Sequence, residues 1–368
     1  MSDCKNKEFG LHIAALMRGE NLDRATAREM FRQVLMDEQS GLQQGAFLAA
    51  LTAKGETAEE IAGAWEAVYE LDTAKVELDL PAPLVENSGT GMDSFKTFNI
   101  STAAAIIAAA GGVYMARHGA RAITSACGTV DMLESLGVDV ECEVAVVKNS
   151  IEKAGIGLFN GMSARVHPNA LFRILSQINF GTTFNIAGSL ANPAMPRYGL
   201  RGVYSQKMLT PALQVMREIG YQRAMVVYGT DSAGQGMDEL STLGQTFIAE
   251  LRPDGSTVSY SVLPEDFGIC RPSPQELRPE ADRQEEALRF VELISGRKRT
   301  ARAEIVCLNA APLFLLTGKA RDLKDGYEMA IAILSSGRAM SKLEQWVSVQ
   351  NRDAAAGRRK LAGLVGAM

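Results

Sequence analysis

The sequence predicts an α/β protein with a small all-helical N-terminal domain and a larger α/β domain, whose mainly parallel central sheet is flanked by helices. Three observations carry this reading. The first 75 or so residues show only three- and four-residue apolar spacing. From about residue 87, Gly and Ala rise and short β-branched runs alternate with helical stretches. A chain of 368 residues is also about two domains long, since domains run on the order of 100–200 residues.

The elements follow in order. Ala25, Met30, Phe31, Val34 and Leu35 form one amphipathic stripe, and Ala46, Phe47, Ala50 and Leu51 form a second that Gly55 stops. Thr57 and Glu60 make a capping box ahead of Ile61, Ala62, Trp65, Val68 and Tyr69. Leu78, Leu80, Pro81 and Pro83 suit an extended crossing. This divides the chain into a helical domain at 1–76, a linker at 77–86 and an α/β domain over 87–167 and 186–368, with residues 168–185 returning to the helical core. Within the α/β part, residues 103–110 predict a helix and 112–116, 224–228 and 305–308 predict strands. Residues 246–251 and 258–263, joined through Arg252-Pro253-Asp254-Gly255, predict an antiparallel edge hairpin.

Composition removes several function classes. A hydrophobic fraction of 46% with 22% charged residues describes a globular chain, and no run of about 18 apolar residues marks a membrane span. The segment MSDCKNKEFG lacks the apolar core of a secretion signal, so a cytoplasmic location is expected. A net charge of -5 speaks against nucleic acid as a partner. The five cysteines have no CxxC spacing and the three histidines no HExxH, so neither a disulfide framework nor a zinc centre is expected.

Three segments carry chemistry. Gly89-Thr90-Gly91 is followed by Asp93, and then Asn99-Ile100-Ser101-Thr102 opens a helix. Glycine lets a backbone approach a phosphate, and free N–H groups at a helix start attract anions. From the residues alone, an ordinary connection and a phosphate site are about equally consistent with this loop. Arg117-His118-Gly119-Ala120-Arg121 follows a strand, where ligands bind in α/β sheets, and places two cations around a glycine. The pair Asp238-Glu239 is by itself an ordinary solvated face, but beside a diphosphate it would suit Mg²⁺.

Over about residues 10–340 the chain resembles the anthranilate phosphoribosyltransferase family. Its GTGGD loop corresponds to Gly89-Thr90-Gly91-Met92-Asp93, its FNIST segment to residues 98–102 and its KHGNR segment to residues 117–121. The hydroxyl-rich turn that follows corresponds to residues 124–137, the FN-x-x-GPLxNPA motif to residues 184–194 and the DELS motif to residues 238–241. The resemblance implies a helical domain joined to an α/β domain, with the active site between them and a homodimer formed through the helical domains. It implies transfer of phosphoribose from phosphoribosyl pyrophosphate to an aromatic amine, with Mg²⁺ as cofactor. Carried over position by position, the donor site would comprise Gly89, Thr90, Gly91, Met92, Asp93, Thr97, Asn99, Ser101, Thr102, Arg117, Ser125 and Cys127. The acceptor site would comprise His118, Gly119, Ala120, His167, Arg173 and Gln177, and Asp238, Glu239 and Ser101 would hold the metal.

Several departures from the family pattern fall on the ligand side. Met92 replaces a glycine, Arg117 a lysine, Ala120 an asparagine and Cys127 a serine. The family's carboxylate-facing arginine aligns with Gln177 or Leu175, and Arg173 is the only cation in that helix. Preserved donor residues beside altered acceptor residues favour a phosphoribosyltransferase for another aromatic or heteroaromatic acceptor. The alternatives are a genuine anthranilate enzyme and a non-catalytic homologue that binds nucleic acid or another partner.

Overall fold

The computed structural model describes residues 2–90, 94–121, 127–178 and 180–367, with side chains described from residue 7 onward. Helices α1 (Ser2–Met17), α2 (Arg24–Leu35), α3 (Gly41–Lys54) and α4 (Ala58–Leu71) form the N-terminal layer. Their ends follow local chemistry. Asp23 and Ser40 accept N–H groups of the turns they start, and Thr57 and Glu60 cap each other's backbone. The buried Glu60 carboxylate has three partners: besides the Thr57 N–H it accepts from the Leu22 N–H at 2.9 Å and pairs with Lys54 at 2.9 Å.

The sheet contains β1 (Leu84–Ser88), β2 (Tyr114–Gly119), β3 (Ile156–Asn160), β4 (Tyr198–Gly202), β5 (Arg223–Thr230), β6 (Gly236–Met237), β7 (Thr246–Leu251) and β8 (Thr257–Val262). Its order is β3-β2-β1-β4-β5-β7-β8, with β6 paired to β5. Strands β3 to β5 along this order are parallel, and β7 and β8 close the edge as an antiparallel hairpin. The crossovers run through α5 (Ile100–Ala110), α6 (Thr129–Leu136), α7 (Val144–Ala154), α8 (Leu171–Leu175), α9 (Thr183–Leu190) and α10 (Leu209–Glu218). Helices α11 (Arg283–Ile294), α12 (Ala301–Leu316), α13 (Leu323–Ser335), α14 (Arg338–Val349) and α15 (Ala354–Gly366) complete the chain.

The two-residue period of β5 divides the interior. Met225 and Val227 join the large core with α5, α12 and α14, whereas Ala224 and Val226 join a second core with α2 and α4. That second core also takes in Leu171, Ile174, Phe184 and Ala187 from α8 and α9. Phe31 meets Phe47 and Phe184 edge-on, each with ring centroids 5.0 Å apart. Trp65 Nε1 donates to the Leu190 carbonyl at 2.9 Å. The Asp72 carboxylate, just past α4, accepts the backbone N–H groups of Asn169, Ala170 and Leu171, so the end of one helix caps the start of α8.

Residues 305–308, expected to be a strand, instead lie inside α12. Ile305, Val306, Cys307 and Leu308 are at most 1% exposed because this helix is buried on nearly every side. A helix without a polar face leaves no 3.6-residue signal, and its β-branched run then imitates a strand. Among the described residues no helix is long and apolar enough to cross a membrane.

Phe184 links α9 to the N-terminal layer through Phe31. Phe184→Ala is expected to lower stability by about 3–5 kcal/mol. Urea denaturation followed by tryptophan fluorescence measures this, and a loss below 1 kcal/mol contradicts the shared core.

Candidate active site

Parallel strands bring their C-terminal ends to one edge, and the segments that leave β1, β2 and β4 meet there. Helix α5 starts close by with no side-chain cap on its first turn. Asn87, at the end of β1, donates to the Ser101 carbonyl at 2.8 Å and accepts from Arg117 at 3.2 Å. Arg117 also donates to Ser101 Oγ at 3.2 Å, and its Nε has no hydrogen-bond partner among the described residues. The Asn99 side chain reaches across to the Cys127 carbonyl at 3.2 Å. Asn87, Asn99, Ser101, Arg117 and Cys127 thus form one connected wall. Thr102 is fully buried beside it, its hydroxyl without a partner among the described residues, and Thr97 is half-buried between the buried Phe95 and Phe98.

The acidic pair is pressed against this edge. Thr90 Oγ1 donates to Asp238 Oδ2 at 3.3 Å. A Cβ on Gly89 would overlap the Asp238 carboxylate, and a Cβ on Gly202 would overlap the Asp238 carbonyl. Asp238 and Glu239 are 8% and 9% exposed. Among the described residues no group of three or more His, Cys, Asp or Glu side chains is placed to hold a metal. Two neighbouring carboxylates, completed by water and substrate phosphate, nevertheless match the donor set that Mg²⁺ takes. Ser101, the third expected metal ligand, has its hydroxyl engaged by Arg117.

A residue outside every sequence motif holds this turn in place. Asn309, on α12, accepts from the Leu240 N–H at 2.8 Å and donates to the Leu240 carbonyl at 2.9 Å. Ser241 tightens the same turn, donating to the Thr230 carbonyl at 2.6 Å and accepting from Leu243 and Gly244. The strand expectation for 305–308 hid Asn309, and a helix reading of that segment is the signal that would have found it.

Charge at the site is unevenly balanced. Arg117 and Arg201 are buried, at 2% and 6% exposed, and neither has a carboxylate within salt-bridge distance among the described residues. Burial pulls the Arg117 guanidinium down to about 10 and lowers that of Arg201. Glu86 faces both at longer range and accepts from Asn192 at 2.8 Å. Burial pushes its carboxyl up to about 7. Arg121, the second cation of its segment, is held by Asp131, Glu134 and Glu141 and serves as a tie to α6. Burial raises the Cys127 thiol to about 11, which keeps it protonated and unsuited to nucleophilic attack.

On the expected acceptor side, His118 and His167 are distant in sequence but lie 5.4 Å apart between ring centroids. His118 Nδ1 faces the Ser189 carbonyl at 3.4 Å and His167 Nδ1 the Asp72 carbonyl at 2.7 Å. A carbonyl only accepts, so both rings carry their proton on Nδ1. Burial lowers both, taking His118 to about 3, so both are neutral. A Cβ at Gly161 would sit 2.7 Å from His118 Nε2, which places backbone against that face of the ring. Gly119 and Ala120 continue from β2 half-buried. Arg173 turns away, donating to the Val34 carbonyl at 3.3 Å and lying 3.7 Å from Asp37, and Gln177 is exposed. Helix α8 therefore brings no cation to the two histidines. Gly91, Met92, Asp93 and Ser125 lie outside the described residues.

Asn309→Leu leaves the buried Leu240 N–H and carbonyl without partners. The expected stability loss is roughly 2–4 kcal/mol in urea denaturation, and an unchanged midpoint contradicts the clamp. Glu86 predicts a pH effect. Between pH 4.5 and 7 the folded protein holds more of this proton than the unfolded chain does. Its contribution to stability therefore falls as pH rises through that window, by at most about 1.4 kcal/mol per pH unit. Glu86→Gln should remove this slope in urea denaturation, and identical slopes in the two proteins contradict the assignment.

Comparison with known proteins accounts for these features together. Residues 12–71 match the helical bundle domain of a glycosyl transferase family and residues 81–340 match its a/b domain. The anthranilate phosphoribosyltransferase of Anaeromyxobacter dehalogenans is 37% identical over 339 residues, covering 91% of this chain and 97% of that protein. That of Methanothermobacter thermautotrophicus is 35% identical over 351 residues, covering 93% and 98%. The crystal structure of the Thermus thermophilus enzyme superimposes with a TM-score of 0.81 at 33% identity, covering 92% of this chain and 98% of that one. The Saccharomyces cerevisiae enzyme in complex with PRPP and Mg shares the fold, with a TM-score of 0.80 at 24% identity over 94% and 98% of the two chains. With curated relatives above 30% identity over nearly its whole length, the chain belongs to the anthranilate phosphoribosyltransferase family and is a phosphoribosyltransferase.

Proposed function

We propose that this enzyme transfers 5-phosphoribose from phosphoribosyl pyrophosphate to the amino group of anthranilate. One observation carries the reading: the uncapped start of α5, the buried Arg117 and the Asp238-Glu239 turn converge at one sheet edge. This arrangement suits a ligand with two separated anionic groups. Backbone N–H groups of α5 and the Arg117 guanidinium face the donor phosphates. Asp238 and Glu239 would hold Mg²⁺, which when bound offsets the charge developing on departing pyrophosphate. The C1–oxygen bond to pyrophosphate breaks, the C1–nitrogen bond forms, and the amine proton leaves to water. Positioning and charge stabilisation account for the chemistry, in keeping with two buried, neutral histidines.

The sequence favoured a different aromatic acceptor because Ala120, Cys127 and Gln177 depart from the family pattern. The curated relatives compared above carry the anthranilate name and lend that expectation no support. Membership in an enzyme family likewise displaces the non-catalytic alternative. A homodimer would use the exposed Leu11 and Met17 of α1 and Leu42 of α3, the last 88% exposed.

Anthranilate fluorescence should fall in the presence of phosphoribosyl pyrophosphate and Mg²⁺. Asp238→Asn combined with Glu239→Gln should reduce that rate at least about 1,000-fold, equivalent to roughly 4 kcal/mol of transition-state stabilisation. Persistent anthranilate at millimolar donor would refute the acceptor assignment, and near-normal turnover by the double variant would refute the metal assignment.

A further inference from the structure

The acceptor of the proposed reaction carries a carboxylate, and in this chain α8 supplies no cation to meet it. Arg173 is directed to Val34 and Asp37 at the end of α2, and Gln177 faces solvent. We propose that Arg201, on β4, anchors the acceptor carboxylate instead. This inference rests on the reading of an anthranilate-type acceptor.

The placement of Arg201 supports the assignment. Arg201 is the register partner of Ser88, the last residue of β1, so it stands at the C-terminal edge of the sheet. Its Nη2 donates to Ser189 Oγ at 2.5 Å and its Nη1 to Ser88 Oγ at 3.4 Å. Ser189 is also the residue whose carbonyl meets His118 Nδ1. Arg201 therefore belongs to the histidine side of the site. Arg117, by contrast, is bound to Asn87 and Ser101, on the side where α5 begins. The two buried guanidiniums are divided between two walls.

The charge balance points the same way. A buried guanidinium held by two serine hydroxyls, with no carboxylate at salt-bridge distance among the described residues, remains incompletely compensated. Glu86 is the carboxylate the two arginines share, and Asp238 and Glu239 are committed to the metal in the proposed reaction. An incoming aromatic acid supplies the missing negative charge. The planar fork of an arginine matches a carboxylate through two parallel N–H donors, which lysine or serine cannot reproduce.

Benzoate and benzamide separate the contribution of charge from that of ring shape, and neither carries the aromatic amine that would react. Calorimetry on the full chain with phosphoribosyl pyrophosphate and Mg²⁺ present should show benzoate binding at least about tenfold more tightly than benzamide. In Arg201→Met that preference should disappear while donor affinity stays within about twofold. Arg201→Lys, which keeps the charge without the fork, should show a reduced preference and covers the case in which the methionine variant fails to fold. A preference that survives undiminished in either variant, or is absent from the wild type, overturns the proposal. So does loss of the preference in Arg173→Met while Arg201→Met retains it. Wild-type turnover of anthranilate without a benzoate preference refutes the role of Arg201 alone. A benzoate preference that Arg201→Met abolishes, without anthranilate turnover, refutes the anthranilate reading alone.

Discussion

The site depends on how closely the turn at residues 238–241 approaches the ends of two parallel strands. Main-chain atoms of Asp238 lie where a side chain at position 202 would be, and its carboxylate lies where a side chain at position 89 would be. Glycine at both positions allows the turn to sit against the sheet edge. Position 229 repeats the arrangement against the Glu239 carbonyl. With the turn seated, Ser241 and Asn309 satisfy its remaining backbone groups, and α12 must keep its buried position to present Asn309. The acidic pair is thus held by contacts that extend through the large core.

The fold was largely legible in the sequence because its signals are local. The capping box at Thr57 and Glu60, the hairpin turn at 252–255 and the helix opening at Asn99 each depend on a few neighbouring residues. The buried α12 was not legible, since a helix surrounded by apolar partners has no periodicity to display. The loop ahead of α5 stood out as a candidate anion site, because glycines and hydroxyls before a helix can serve a phosphate. The expected acceptor side was harder to read. Arg173 and Gln177 occupy the stretch where a cation was sought, yet one reaches α2 and the other solvent. Arg201 lies within a strand and has no flanking motif, and its place beside Ser189 and His118 arises only from strand register and the packing of α9.

Two buried arginines near a carboxylate whose proton affinity is raised show how the protein accommodates charge in its interior. Ordinary ion pairs would settle the balance before any ligand arrived. Here Arg117 and Arg201 are held mainly by amide and hydroxyl groups, which fix their direction without neutralising them. Such an arrangement costs stability in the free enzyme and favours occupation by anions. Arg121 is the contrasting case in the same segment, because three carboxylates hold it and leave it little capacity for a ligand.

The Asp72 contacts have a mechanical consequence. This carboxylate gathers three N–H groups at the start of α8, and the carbonyl of the same residue fixes His167. The segment from His167 to Leu171 is therefore tethered to the end of α4, while the His167 N–H donates to the Ser163 carbonyl and the Ser163 N–H to the carbonyl of Asn160, the last residue of β3. This short stretch joins the helical layer to a strand end, so any tilt of the N-terminal helices would be transmitted through it to the sheet edge.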